Sequence, residues 1–351
     1  MRLKPVFTLL IVVWLAAAGG PALAQDGGEA DPLGGATEFA QAEERTDVTL
    51  ILDWTPNTNH TGFYVAQALG YYDEANLNVT IQEPTDLLVE TVVVSGAAQF
   101  GVGYQEFATY ALADGQPIVS LAAIIQHNTS GFVSLAEDDP LTRPADMAGL
   151  RYGGFGQPDL ENAMLNTLLV CDGAEPGTIE YIDVGYVDPI PLMQRDRLDL
   201  VWIYYGWTGI DAELRGVDLD AIMLMDYLDC VPDYYTPILI TSRDMIETRP
   251  DVVAAFTQAT ARGFAFAIQN PAQAAEILIE AVPEIDPDLV RASAEWLASQ
   301  YQADAPRWGQ QSVEVWQGFS DFLVENGILA EGIDAEAAFT NDFLPGAVEE
   351  R

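Results

Sequence analysis

"VTLILDWTPNTNHTGFYVAQALG" (residues 48–70) decides the fold. "VTLIL" (48–52) is an unbroken apolar, partly β-branched run of the kind that forms a buried strand. "GFYVAQALG" (62–70) has apolar residues at helical spacing and a glycine stop. Between them, "DWTPNTNHTG" (53–62) gathers an indole, two asparagines, one of only two histidines in the chain and four hydroxyl or carboxyl groups. Strand, polar loop and helix make one α/β unit. The loop lies at the carboxyl end of the strand, where ligands bind in such sheets.

The same alternation continues outward from this unit. "LNVTIQE", "AQFGVGY" and "PIVSLAAII" are predicted strands, with a short helix in "DLLVETVVVSG". A second series opens near residue 131 with "GFVSLAE" and runs through "LRYGGFGQPDLENAMLNTLLVCDG", "TIEYIDV", "DLVWIYY" and "AIMLMDY". After "PDYYTPILITSR" the chain reads as nearly all helix, and three of those helices open with proline, whose missing N–H costs nothing in a first turn. Two α/β series and a helical return imply an α/β fold with two lobes and two crossings, near residues 128–131 and 234–237. The expected division is lobe 1 over 47–129 and 238–345 and lobe 2 over 130–237, with the ligand site in the cleft between them.

Residues 1–24 read as a signal peptide. Arg2 and Lys4 precede the apolar run "VFTLLIVVWLAAA", and "ALA" (22–24) offers a cleavage site, so the chain is expected outside the cytoplasm, secreted or periplasmic. No cysteine lies near that site to carry a lipid anchor. Residues 25–46 read as a flexible acidic leader. Beyond the signal, 12 arginines face 54 acids, a net charge of −42, and no lysine remains because Lys4 is the only one. Such a field repels nucleic acid and anionic membranes, and also suits a surface adapted to salty or acidic surroundings. Cys171 and Cys230 are the only cysteines. In an exported chain they form either a disulfide or two buried thiols.

"LDWTPNTNHTGFYVAQALGYYDEANLNV", "SGAAQFGVGYQEFATYALADGQPIVSLAAIIQ" and "RPADMAGLRYGGFGQPDLENAML" resemble solute-binding proteins of the thiamine-pyrimidine-precursor (thiamine pyrimidine synthase-like) family of ABC importers. The resemblance covers about residues 47–270, and "WTPNTNHTG" is its specific part. It implies a type II periplasmic-binding-protein fold that closes on a small heteroaromatic ligand and delivers it to a membrane permease. A hydroxymethylpyrimidine or formylaminopyrimidine is the expected cargo and riboflavin the alternative. The protein is expected to act as a monomer, without cofactor or metal. The family's enzyme branch, which makes the pyrimidine from pyridoxal phosphate and histidine, needs a lysine for its Schiff base and a cysteine-rich iron site. Beyond the signal, this chain has no lysine and only two cysteines, far apart in sequence.

A flat aminopyrimidine offers two π faces and an edge of donors and acceptors, so its site needs aromatic side chains and polar edge groups. Trp54 is the expected stacking platform, Asp53 an acceptor for an amino group, and Asn59 and His60 further edge groups, with Asn57 orienting the loop. In "GVGYQE" (101–106), Tyr104 is expected to stack and Glu106 to accept. In "YGGFGQPDLE" (152–161) a plain turn presents Phe155 and Gln157, and the anion-cradle reading is the weaker one because the phosphate-loop lysine is absent. In "WIYYGWTG" (202–209) strand alternation buries one of Tyr204 and Tyr205 and exposes the other, with Tyr205 and Trp207 as site candidates. Tyr235, at the return crossing, completes the set. With two histidines and no zinc or Walker spacing, neither a metal site nor a catalytic triad is predicted.

Overall fold

A computed structural model describes residues 31–84, 87–136, 140–185 and 187–346. The expected signal segment, residues 1–24, lies outside these. Among the described residues, ten strands form two sheets. β1 (Thr46–Ile51), β2 (Leu77–Gln82), β3 (Phe100–Gly103), β4 (Ile118–Ala123) and β10 (Ile238–Ser242) form the first, in the order β2-β1-β3-β10-β4. β5 (Ser130–Leu135), β6 (Arg151–Gly154), β7 (Glu180–Asp183), β8 (Leu200–Tyr204) and β9 (Leu219–Met223) form the second, in the order β7-β6-β8-β5-β9. Each sheet is parallel except for one inserted strand. β10 runs antiparallel between β3 and β4, and β5 runs antiparallel between β8 and β9. The chain therefore crosses between the sheets twice, after β4 and after β9.

The first sheet is buried by the long helix Pro250–Gln269 and the short helix Thr61–Ala68. These two helices cross at Gly62 and Gly263. A Cβ on Gly263 would stand 2.0 Å from the Gly62 carbonyl oxygen, so only glycine permits the approach. Stacked rings fill the space beneath. Phe256 lies 3.9 Å from Phe100 and 5.3 Å from Tyr72, and Phe264 lies 4.4 Å from Trp308 (ring centroids). The second sheet buries Phe132, Tyr152 and Trp202 with the helix Pro158–Cys171. Cys171, at the end of that helix, is bonded to Cys230, with Cα atoms 5.8 Å apart.

One sequence expectation fails here. Residues 31–45, assigned to the flexible leader, pack on the first lobe. Ala42 is buried, Leu33 adds to the core, Ala40 donates its N–H to Gln258 Oε1 (2.7 Å), and the Arg262 guanidinium lies 4.8 Å from the Phe39 ring centroid. The average composition of this stretch is polar, but Leu33, Phe39 and Ala42 are enough to anchor it.

Candidate functional site

A cleft of about 400 Å³ opens between the two sheets. Asp53, Trp54, Asn57, Asn59, Tyr104 and Glu106 line it from the first lobe. Phe155, Gln157, Trp202, Tyr204 and Trp207 line it from the second. The loop after β1 supplies the first group because β1 ends at Ile51, so residues 53–59 run across the carboxyl edge of the sheet. The second group comes from the ends of β6 and β8.

The first-lobe loop is tightly wired. Asn57 Oδ1 accepts from Asn59 N (2.9 Å), and Asn57 N donates to His60 Nδ1 (3.1 Å). Nδ1 therefore carries no proton, and the neutral ring holds its proton on Nε2, which donates to Asp53 Oδ1 at 2.6 Å. His60 is fully buried and does not line the cleft. Its expected role as a ligand contact is thus corrected: both ring nitrogens are used inside the loop, and the imidazole sets Asp53, whose side chain is 2% exposed. Burial, with the Asp53 charge beside it, holds the Tyr104 hydroxyl well above its ordinary pKa. Trp54 is 40% exposed, an unusual setting for an indole and a suitable one for a stacking platform.

The second-lobe wall is mostly aromatic. Tyr204 ends β8, and its ring lies near-parallel to that of Tyr104 from the other lobe, with 15° between planes and centroids 6.5 Å apart. Directly after it the chain enters a wide helical turn, Tyr205–Gly209, which swings Tyr205 away from the cleft. Tyr205 packs against Trp296 (5.6 Å between centroids) and its hydroxyl bonds to Glu213, so the site residue of this pair is Tyr204, not the expected Tyr205. Alternation identified a pair with one ring in and one out. It could not foresee the turn that chose between them. Tyr235 is also corrected. It is 1% exposed, its hydroxyl accepts from Ser312 N, and its backbone is clamped by Gln105. It belongs to the crossing. Trp207 and Trp202 both line the cleft, and Trp202 is fixed by a bond from Nε1 to Ser130 Oγ (2.7 Å).

The glycine-rich turn carries a residue that sequence reading missed. Glu161, fully buried, accepts from the backbone N–H of Phe155 (3.1 Å) and Gln157 (2.6 Å) and from the hydroxyls of Tyr152 (2.6 Å) and Tyr181 (3.1 Å). The place where this turn would cradle an anion is filled by the protein's own carboxylate. The sequence signal was a glutamate one turn into the helix, which is usually only a capping residue.

Among the described residues, no arginine, lysine or histidine lines the cleft. Three second-lobe arginines are engaged elsewhere. Arg143 pairs with Asp172, Arg151 with Asp196 and Asp199, and Arg215 with Asp188 and Asp211 at the cleft rim. At the crossings, His127 bridges Asp233 (2.6 Å) and Asp304 (2.8 Å). These hydrogen bonds, Asp233 first, raise its pKa to about 9. Across the cleft wall, Ser293 Oγ lies 2.6 Å from Thr58 Oγ1 and donates to the Gly206 carbonyl, linking the first-lobe loop to the second-lobe turn.

The fold agrees with what the chain is similar to. It belongs to the NMT1/THI5-like family, which it matches over residues 57–274. It is 28% identical to the formylaminopyrimidine-binding protein of Halalkalibacterium halodurans, over 87% of this chain and 93% of that one. It is 24% identical to a 4-amino-5-hydroxymethyl-2-methylpyrimidine phosphate synthase of Legionella pneumophila, over 88% and 95%. Its fold matches the ligand-binding component of an ABC-type import system from Staphylococcus aureus with a TM-score of 0.66 at 13% identity, covering 87% of this chain and 100% of that one. The two-lobed solute-binding fold is therefore that of this chain.

Proposed function

We propose that this protein is the extracytoplasmic solute-binding subunit of an ABC importer, and that its cargo is a small, uncharged heteroaromatic ring of the thiamine-pyrimidine-precursor type. The observation that carries this reading is the composition of the cleft. Aromatic rings from both lobes, Trp54 and Tyr104 on one side and Trp202, Tyr204 and Trp207 on the other, share a space of about 400 Å³ with Asp53 and Glu106 and, among the described residues, with no basic one. The rings match the faces of a flat guest and the acids match an amino edge. Anionic cargo is disfavoured because the one turn suited to an anion is already occupied by Glu161. The similarity to a formylaminopyrimidine-binding protein supports the same class. The similarity to a synthase is opposed by the chemistry, since the only lysine is Lys4, in the N-terminal apolar segment.

The test is a thermal-shift screen with mass spectrometry of any co-purifying ligand. A ligand that binds only the folded state at about 100 times its Kd stabilises it by about 2.7 kcal/mol, a readily measured rise in Tm. A hydroxymethyl- or formylaminopyrimidine is expected to give it. Riboflavin giving it instead keeps the transport role and changes the cargo. No shift with either, together with a strong shift from a sulfonate, defeats the reading.

A further inference from the structure

Four acids line the cleft: Asp53, Glu106, Asp188 and Asp211. Asp188 and Asp211 share Arg215, and Asp53 accepts a hydrogen bond from His60 Nε2. Glu106 is different. It is 6% exposed, and its Oε2 is buried without a hydrogen-bond partner. Behind it lies Glu90, 3% exposed, from the helix Val89–Val94, and its Oε1 also lacks a partner. Glu90 packs under β3 so closely that a Cβ on Gly103 would come within 2.9 Å of that oxygen. The groups around Glu106 are Glu90, Asp53 beyond it at the end of β1, Tyr104 and Tyr110 around the helix Gln105–Ala113, and Tyr234 from the return crossing. Asn128, from the other crossing, lies beside Tyr234. None is a cation. Two buried carboxyls with no counter-charge oppose each other's ionisation. Burial raises Glu106 to about 8 against the pull of its own backbone N–H and of the nearby Tyr234 hydroxyl, which both favour the carboxylate, and the Glu90 charge adds to the rise. Burial likewise raises Glu90 to about 7, and Asp53 adds to that shift.

We propose that Glu106 is the specificity-determining residue of this cleft, and that it reads the cargo as a neutral carboxylic acid. A protonated carboxyl donates through one oxygen and accepts through the other. It therefore pairs with a ring edge that sets an acceptor beside a donor, such as the N–C–NH₂ edge of an aminopyrimidine or the O=C–NH edge of a flavin-type ring. A carboxylate would turn two acceptors toward that edge and lose one bond of the pair. The proton is already on Glu106 before cargo arrives, so binding near neutral pH needs no proton uptake. This inference rests on the cargo class proposed above and adds the residue and the protonation state that read it.

The test is calorimetric binding of 4-amino-5-hydroxymethyl-2-methylpyrimidine, and separately of riboflavin, to the wild type, Glu106→Gln and Glu106→Leu at about pH 7 and about pH 9.5. For the wild type, Kd for the bound probe is expected to weaken by about 30-fold over this range, following loss of the proton from a group near pH 8. Glu106→Gln keeps one donor and one acceptor and cannot ionise. It is expected to bind within a few-fold of the wild type at about pH 7 and to show no decline at about pH 9.5. Because this variant retains His127, it separates the effect of Glu106 from titration at the crossings. Glu106→Leu is expected to lose at least about 10-fold at either pH, with its fold checked by thermal melting. A wild type with a flat pH profile overturns the inference while leaving the cargo class standing. So does a folded Glu106→Gln that no longer binds. Failure of both probes to bind the wild type at about pH 7 overturns the cargo class, and this inference with it.

Discussion

The two walls of the cleft handle polar groups in opposite ways. In the first lobe, the loop after β1 spends His60 on holding Asp53 and leaves Glu106 with an unmatched oxygen. In the second lobe, Glu161 collects four donors and leaves none of its own capacity for a guest. The wall with unsatisfied groups is the wall suited to reading an edge. The wall that satisfies itself is left with rings and supplies a face. Closing one against the other would give a guest both.

The largest expected effect tests the self-satisfied wall. Glu161→Ala orphans two backbone amides and two tyrosine hydroxyls in one buried place, at about 1–3 kcal/mol for each group that stays dry. We expect a fall in unfolding free energy of about 4 kcal/mol, read from denaturant melts. Sulfate should restore part of the loss by occupying the vacated position, and should do nothing for the wild type. A variant as stable as the wild type would break the comparison. Loss of the Cys171–Cys230 bond in the same lobe should come next. It closes a loop with a sequence separation of 59, and Cys171→Ser with Cys230→Ser should cost about 2–4 kcal/mol in denaturant melts.

A binding measurement sharpens the comparison. Tyr204→Ala removes a ring from the face-giving wall and should weaken a bound aminopyrimidine by about 10- to 100-fold, whereas Tyr205→Ala should leave affinity within a few-fold and lower stability instead. The pH dependence of stability tests the edge-reading wall. Glu90 and Glu106 have folded pKa values above their unfolded ones, so the folded state holds extra protons. Their contribution is intact below the ordinary carboxylate range and is lost as pH rises through about 7 and about 8. His127 acts in the same direction, because its stabilisation is intact below about 6.5 and is lost through about 9. The Tm should therefore fall steadily from about pH 6 into the alkaline range. Glu106→Gln should flatten the middle of that curve and His127→Gln its alkaline end.

The sequence made the fold legible because its cues are local. Nine of the ten strands overlap the apolar runs read as strands, since period-2 and continuous apolar patterns survive without tertiary information; β10, in a stretch read only as the return crossing, is the exception. Trp54, Asp53, Asn59, Tyr104, Glu106, Phe155, Gln157 and Trp207 line the cleft, because each stands at or just after a strand end. The misses share a different cause. His60, Tyr205 and Tyr235 are each turned away from the cleft by a partner or a change of helix type that the local pattern does not show: a carboxylate across the loop, a ring at 296, a backbone amide at 312. Glu161 escaped notice because an acid in a first turn is ordinary unless its partners are known.

The smallest expected effect concerns the seam between the walls. Ser293 stands on the helix Pro287–Leu297, between Thr58 of the edge-reading loop and the Gly206 carbonyl of the turn that carries Trp207. It belongs to neither wall and contacts both, so its bonds form only when the walls are held at this separation. Ser293→Ala removes both bonds without touching the cleft lining. It also leaves a threonine hydroxyl and a carbonyl in a buried place. The net cost of such a bond is about 1 kcal/mol, or about 5-fold in an equilibrium. If the seam helps to set the distance between the walls, that factor should appear in the cargo dissociation rate, measured by stopped flow, with the association rate unchanged. If it appears only as a lower Tm, the seam stabilises the fold and the two walls meet for other reasons.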